Sequence, residues 1–227
     1  MSKQKSYHEK ISILVPYYRN PKTLKYQLGR WRKFKKVFRV QIKFVIVDDG
    51  SPKPIRISER EKSDLDIKVY RINENIPWNV CGAKNLLVNR CETRWFLMHD
   101  IDHYMRRPSV EQMLSLKKDQ DMVYHFSSRN KSHRSIITLF TTRKIFRDIG
   151  GYNEDFAGVR GNIDLELYKR MRRQKVPIIW TKKVRLHTVP RWVPDSTTTD
   201  WPRDFGITEP PVRTDKGNLR FTWERVC

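Results

Sequence analysis

The stretch Trp95-Phe96-Leu97-Met98-His99-Asp100-Ile101-Asp102-His103 constrains this chain more than any other. Trp95 to Met98 is a short apolar run and reads as a buried strand. It ends on two carboxylates at i and i+2, which on an extended segment point to the same side. Asp100 and Asp102 therefore converge at the tip of the strand, where they repel unless something positive stands between them. A hard divalent cation carrying a polyphosphate meets that need economically. Taken alone, D-x-D describes a surface turn after a strand equally well, because Asp is common in turns. Its weight comes from the rest of the chain.

Upstream, the pattern alternates strand and helix. Ile11 to Val15 reads as a buried strand stopped by Pro16, and residues 21–38 as a helix with Leu24, Leu28, Trp31 and Phe34 or Phe38 at helical spacing. Gln41 to Val47 is a second strand, running into Asp48-Asp49-Gly50-Ser51, and Lys68 to Ile72 a third. Gly82 to Asn89 is a helix start. Beyond the D-x-D, residues 108–118 read as a helix and 122–126 and 136–141 as strands. Residues 143–148 and 164–174 read as helices, and 176–180 and 184–187 as two more strands. This pattern predicts an α/β fold with a mostly parallel central sheet flanked by helices. Ligands of such sheets sit at the C-terminal strand ends, where Asp48/Asp49 and Asp100/Asp102 both fall. From residue 188 periodicity is lost and proline and tryptophan rise. The expected organisation is a basic arm over 1–10, one domain over 11–187, and a tail or lid over 188–227 in which Trp192 and Trp201 could close over a ligand.

Composition bounds the partners. With 38% hydrophobic and 11% aromatic residues in 227, the chain can build a full core, which excludes a disordered protein despite 32% charged residues. The net charge of +22 exceeds anything folding or solubility requires and points to a polyanionic partner. Cys81, Cys91 and Cys227 form no CxxC and no zinc spacing, which suits free thiols in a reducing compartment. The start of the sequence lacks the apolar stretch of a signal peptide, and no apolar run approaches membrane-spanning length. These features lead us to expect a soluble cytoplasmic protein.

In chain order, Val15-Pro16-Tyr17-Tyr18, Val47-Asp48-Asp49-Gly50-Ser51, Gly82-Ala83-Lys84-Asn85, Asp100-Ile101-Asp102, Gly150-Gly151-Tyr152 and a helix opening at Asp164 resemble a GT-A fold glycosyltransferase of the family 2 type. The resemblance covers roughly residues 11–190. It implies a GT-A (Rossmann-like) sheet, a UDP-sugar donor and a Mn²⁺ or Mg²⁺ ion that neutralises the diphosphate leaving group. By the same resemblance Asp102 binds the metal directly, Asp100 holds the ribose or shares the metal, and His187 completes the metal shell. Asp48 and Asp49 contact the base or ribose. Pro16, Tyr17 and Tyr18 wall the nucleotide pocket, and Lys84 contacts the base or diphosphate. An inverting displacement needs a carboxylate base. Arg160-Gly161-Asn162-Ile163-Asp164-Leu165-Glu166-Leu167-Tyr168-Lys169-Arg170 looks like the family's acceptor-side motif, with Ile163 where an acidic residue usually stands. Asp164 is the expected base and Glu166 the second candidate. The plain alternative is a helix N-terminus rich in acids for dipole reasons.

Charge is the guide to the acceptor. Basic residues crowd the helix over 22–36, the loop Arg129 to Arg134 and the segment 170–183. An unanchored, strongly basic transferase of this size resembles enzymes that glycosylate hydroxymethylated DNA bases, as in base-J synthesis and in bacteriophages with modified genomes. A phage-encoded enzyme would act in the bacterial host's cytoplasm. The alternatives are a peripheral transferase on a membrane surface, acting on lipid-linked or cell-surface glycans, and a non-catalytic nucleic-acid-binding module on this fold.

Overall fold

The β1 strand (Ile11–Tyr17) is buried along its whole length, and its side-chain alternation gives each face of the sheet its own core. Ile11, Ile13, Val15 and Tyr17 join one apolar cluster and Leu14 the other. The computed structural model describes residues 9–128, 136–158, 161–196 and 219–227. After β1 come α1 (Pro21–Arg32), α2 (Lys36–Arg39), β2 (Ile42–Asp48), α3 (Glu59–Asp64), β3 (Asp66–Ile72) and α4 (Val80–Arg90). Then follow β4 (Trp95–Met98), β5 (His103–Met105), α5 (Arg107–Leu114), β6 (Val123–Ser128), β7 (Leu139–Thr142) and α6 (Arg143–Asp148). A 3₁₀ turn (Glu154–Phe156), α7 (Ile163–Arg173), β8 (Ile178–Thr188) and β9 (Trp223–Arg225) complete the described chain.

The strands form one sheet in the order β5-β8-β6-β7-β4-β1-β2-β3-β9. β3, β2, β1 and β4 run parallel, while β7 is antiparallel to β4 and β9 antiparallel to β3. The first cluster packs Leu24, Leu28 and Trp31 of α1 and Val110 and Met113 of α5 on one face. The second packs Ala83, Leu86 and Leu87 of α4, Phe146 of α6, and Ile163, Leu167 and Met171 of α7 on the other. This is the expected α/β sheet between helical layers. Its parallel strands end together at Tyr17, Asp48 and Met98, and the cleft opens there.

Several boundaries differ from the sequence reading. Pro16 does not stop β1, which continues to Tyr17. β4 pairs with β1 only as far as Leu14, so the missing Pro16 N–H leaves no ladder bond unmade on that side. The helix expected over 21–38 breaks into α1 and α2 at Lys33 to Lys35. Like charges at Arg32, Lys35 and Lys36, three and four residues apart, oppose its continuation. The two strands expected at 176–180 and 184–187 are one strand, β8. Its pairing with β6 jumps from Phe126↔Thr181 to Ser127↔Arg185, and the exposed Lys182-Lys183 at that bulge interrupts the apolar pattern. Part of the expected tail belongs to the sheet, since β9 pairs with β3 and Phe221 and Trp223 pack on the second cluster. Trp201, the loop Arg129 to Arg134 and residues 1–8 of the expected arm lie outside the described residues.

Candidate active site

A cleft of about 440 Å³ opens at the C-terminal ends of β1 and β4. Pro16, Tyr17, Tyr18, Asp49, Lys84, Asp100, Asp102 and Asp164 line it, so most of the sequence-predicted residues meet in one place. Asn162 of the acceptor-side motif also lines it, as do Asn20, Ile76, Trp78, Ile137 and Ser196, which carried no signal in the sequence.

Lys84 is the hub. Every residue of α4 from Cys81 to Val88 is buried, because the helix is wedged between the sheet and the segment 152–156. Its lysine side chain, 1% exposed, turns toward the cleft. The Nζ lies 3.2 Å from Asp100 Oδ1 and 3.3 Å from Asp164 Oδ1. It also stands 4.9 Å from the centre of the Tyr152 ring. Burial works against the ammonium, but the two carboxylates outweigh it and hold Lys84 charged, well above the usual lysine range. For Asp100 burial is likewise outweighed by Lys84, and its acidity rises.

Asp164 sits in the first turn of α7, after Gly161 at φ 110° and Asn162 at φ 57°. Asparagine and glycine tolerate these left-handed values, which aim the helix N-terminus at the cleft. The Tyr152 hydroxyl donates to Asp164 Oδ1 at 2.9 Å. Tyr152 and Lys84 both engage Oδ1, and among the described residues no group bonds Oδ2. Burial pushes the Asp164 carboxyl above its ordinary value, and Lys84 offsets only part of that. Asn85 fixes the support: it donates to the Tyr152 carbonyl at 2.9 Å and accepts from the Tyr152 N–H at 2.8 Å. A Cβ on Gly151, at φ +66°, would stand 2.7 Å from the Asn85 side-chain Oδ1, so glycine is required there.

The second base candidate points elsewhere. Glu166 accepts two bonds from Arg170, at 2.7 and 2.6 Å, and does not line the cleft. Arg170 also donates to the Ile149 carbonyl at 2.6 Å, so this pair moors α7 to the Gly150-Gly151 turn.

The two aspartates after β2 have separate jobs. Asp48 is fully buried and outside the cleft lining. It accepts from the N–H groups of Ser51 at 3.0 Å and Ile55 at 3.3 Å and from Arg71 at 2.9 Å. It braces the loop, which corrects its expected contact with the base or ribose. Asp49 does face the cleft, where Asn79 donates to it at 3.2 Å, and burial pushes its carboxyl up to about 7.

Among the described residues, Asp100, Asp102 and His103 bring ligand atoms within 4.8 Å of one another. His187, expected in that shell, is not in the group. It stands opposite Tyr104 in the β5–β8 pairing and stacks on that ring at 5.4 Å. The histidine of the group is His103, with Nδ1 2.7 Å from Asp102 Oδ1. The turn is pinned from below by the buried Gln27, whose amide donates to the Ile101 carbonyl at 2.6 Å and to that of His103.

The model of the family described as Glycosyl transferase family 2 matches residues 12–182. No curated protein matches the chain. Among solved structures, S. aureus TarS superposes with a TM-score of 0.65 at 17% identity, over 80% of this chain and 37% of that one. The 1–349 fragment of S. aureus TarS in complex with UDP-GlcNAc gives 0.65 at 16%, over 80% of this chain and 59% of that one. The mannosyltransferase PcManGT from Pyrobaculum calidifontis, in complex with GDP-Man and Mn²⁺, gives 0.62 at 15%, over 82% and 59%. The chain thus spans 37% of TarS and about three fifths of the other two. These likenesses establish the shared fold.

Proposed function

We propose, from the premise that this chain belongs to glycosyl transferase family 2, that it moves a sugar from a nucleoside-diphosphate sugar to an acceptor hydroxyl with inversion. The observation that carries this reading is one cleft with Asp100 and Asp102 on one wall, Asp164 on the other and Lys84 between them.

The donor's nucleotide lies against Pro16, Tyr18 and Asp49, with Tyr18 available to stack on the base. Two carboxylates and an imidazole make a donor set suited to Mn²⁺ or Mg²⁺. Asp102, with the Asp100 oxygen not held by Lys84 and with His103, would hold the ion. When bound, it neutralises charge developing on the diphosphate. Asp164 Oδ2 accepts the acceptor hydroxyl's proton as that oxygen bonds the anomeric carbon. The bond from that carbon to the diphosphate breaks, and the nucleoside diphosphate leaves. The raised Asp164 value improves it as a base near neutral pH. Lys84 holds Asp164 in place and adds positive charge beside the diphosphate. The donor is a UDP-sugar by resemblance, and the structural neighbours solved with UDP-GlcNAc and GDP-Man support a nucleotide sugar.

For the acceptor, the net charge of +22 favours a hydroxymethylated base in DNA. A glycan acceptor, lipid-linked or on a cell surface, is the second reading. The cationic face of α1 would then rest on anionic lipid, and no helix among the described residues is long and apolar enough to cross a membrane. Release of nucleoside diphosphate from a panel of UDP- and GDP-sugars with Mn²⁺, with and without DNA containing 5-hydroxymethylcytosine or 5-hydroxymethyluracil, tests both. Release stimulated by one modified DNA supports the first reading. Release indifferent to DNA removes it, and no release from any donor removes the transferase reading.

A further inference from the structure

The face of α1 beside the cleft carries a feature that the transfer chemistry does not use. Trp192 is 74% exposed, the most exposed large apolar side chain among the described residues. Its ring meets Tyr26 edge-on at 5.9 Å, and Tyr26 meets Tyr104 edge-on at 5.6 Å. The Arg30 guanidinium lies 4.8 Å from the centre of the Tyr104 ring. Arg191 precedes Trp192 and is exposed, as is Arg106, which is near enough to Tyr26 to act on its hydroxyl. Lys22 lies one helical turn before Tyr26. None of Lys22, Arg30, Arg106 and Arg191 is ion-paired with a described carboxylate. Aromatic faces and unpaired cations are therefore interleaved on one surface.

Gly29 adds an independent observation. It lies inside α1, three residues after Tyr26 and so on the same side. A Cβ there would meet nothing within 4 Å, and its φ is not in the left-handed region. Glycine weakens a helix interior relative to alanine, and no described neighbour requires it. A half-buried bare backbone with open space beside it is what a closely approaching ligand uses.

The surface is mechanically joined to the cleft. The Val189 N–H donates to the Asp102 carbonyl at 2.6 Å. Asp195 accepts from the N–H groups of Lys22 and Thr23, at 2.7 and 2.8 Å, and Ser196 lines the cleft.

We infer that this ledge docks single-stranded nucleic acid, with a base stacked on Trp192 and phosphates on the flanking arginines, and leads an unstacked base toward Asp164. Indole and phenol faces accept any base, and guanidinium groups follow the phosphates. The consequence for turnover rests on the nucleic-acid reading above, whereas docking itself is separable from it.

The test is fluorescence anisotropy of a labelled single-stranded oligonucleotide with the full chain, in EDTA and without donor. Affinity should fall steeply between ~50 and ~200 mM salt. Trp192→Ala should weaken binding by about 5- to 100-fold. Arg30→Gln should weaken it and lower the slope of log K against log salt by about one. Gly29→Ala should weaken it without lowering the melting temperature. Parent-like binding by Trp192→Ala overturns the inference, as does inorganic polyphosphate competing as well as DNA at equal charge. Docking with this pattern but no DNA-dependent turnover keeps the ledge and removes DNA as acceptor. DNA-dependent turnover indifferent to Trp192→Ala keeps the acceptor and removes the ledge.

Discussion

The Lys84 ammonium lies 3.3 Å from Asp164 Oδ1, and the same nitrogen lies 3.2 Å from Asp100 Oδ1. One buried cation therefore ties the carboxylate proposed as base to the D-x-D turn proposed to face the diphosphate. Neither carboxylate could be held so close to the other without it. Geometry and charge at both ends of the reaction depend on a single side chain of α4.

Replacing that cation exposes the dependence. Lys84→Met leaves Asp100 and Asp164 facing each other with no charge between them. Removing one partner of a buried pair costs about 3–5 kcal/mol. The Asp100 side chain keeps 37% of its surface in solvent, so screening reduces the expected loss to about 2–3 kcal/mol. Urea unfolding of parent and variant measures it, and equal midpoints would contradict the bridge.

The two acids of α7 should part company. Glu166 is spent on Arg170 and stands outside the cleft. Glu166→Gln should lower stability by about 0.5–1 kcal/mol and leave the transfer rate within about tenfold of the parent. A much larger loss of rate at unchanged donor affinity would return Glu166 to the chemistry.

How far the placement of these residues in the cleft could be read in advance varied with the physics behind each. The D-x-D and Asp164 were legible because an apolar strand and a helix start frame them in the chain. Asp48 and Asp49 could not be told apart, since adjacent residues at a strand end point to opposite sides and only the fold shows which side is the cleft. His103 and His187 flank a pairing between β5 and β8 that brings residues far apart in sequence together, and β5 is only a short strand. Gln27 and Asn85 act through hydrogen bonds to distant backbone, which leaves no periodic trace. For α3 the signal was present, since Ser58 and Glu61 form a capping box, although the helix is brief.

Asp49 sets a pH dependence of stability. Burial pushes its carboxyl up to about 7 in the folded chain, against about 4 in the unfolded one. The unfolded state therefore releases this proton first, and stability falls as pH rises from about 4 to about 7, then levels off. Asp49→Asn should remove that decline, with a gain above pH ~7 of at most about 4 kcal/mol. Parallel stability curves for parent and variant over this range would contradict the burial argument.

Metal binding has a readout apart from turnover. Mn²⁺ bound by the folded state alone raises its melting temperature by mass action. The parent should show a saturable rise reversed by EDTA, and Asp102→Ala should lose most of it. Equal shifts in both would place the ion elsewhere.

The most direct test of the account is single-turnover transfer by Asp164→Asn, measured beside donor affinity on the same protein. The amide keeps the side-chain shape and cannot take a proton. The account predicts that the nucleotide-sugar Kd stays within about twofold while the transfer rate falls by about 10²- to 10⁴-fold. A transfer rate close to the parent's, at unchanged Kd, would contradict Asp164 as the base.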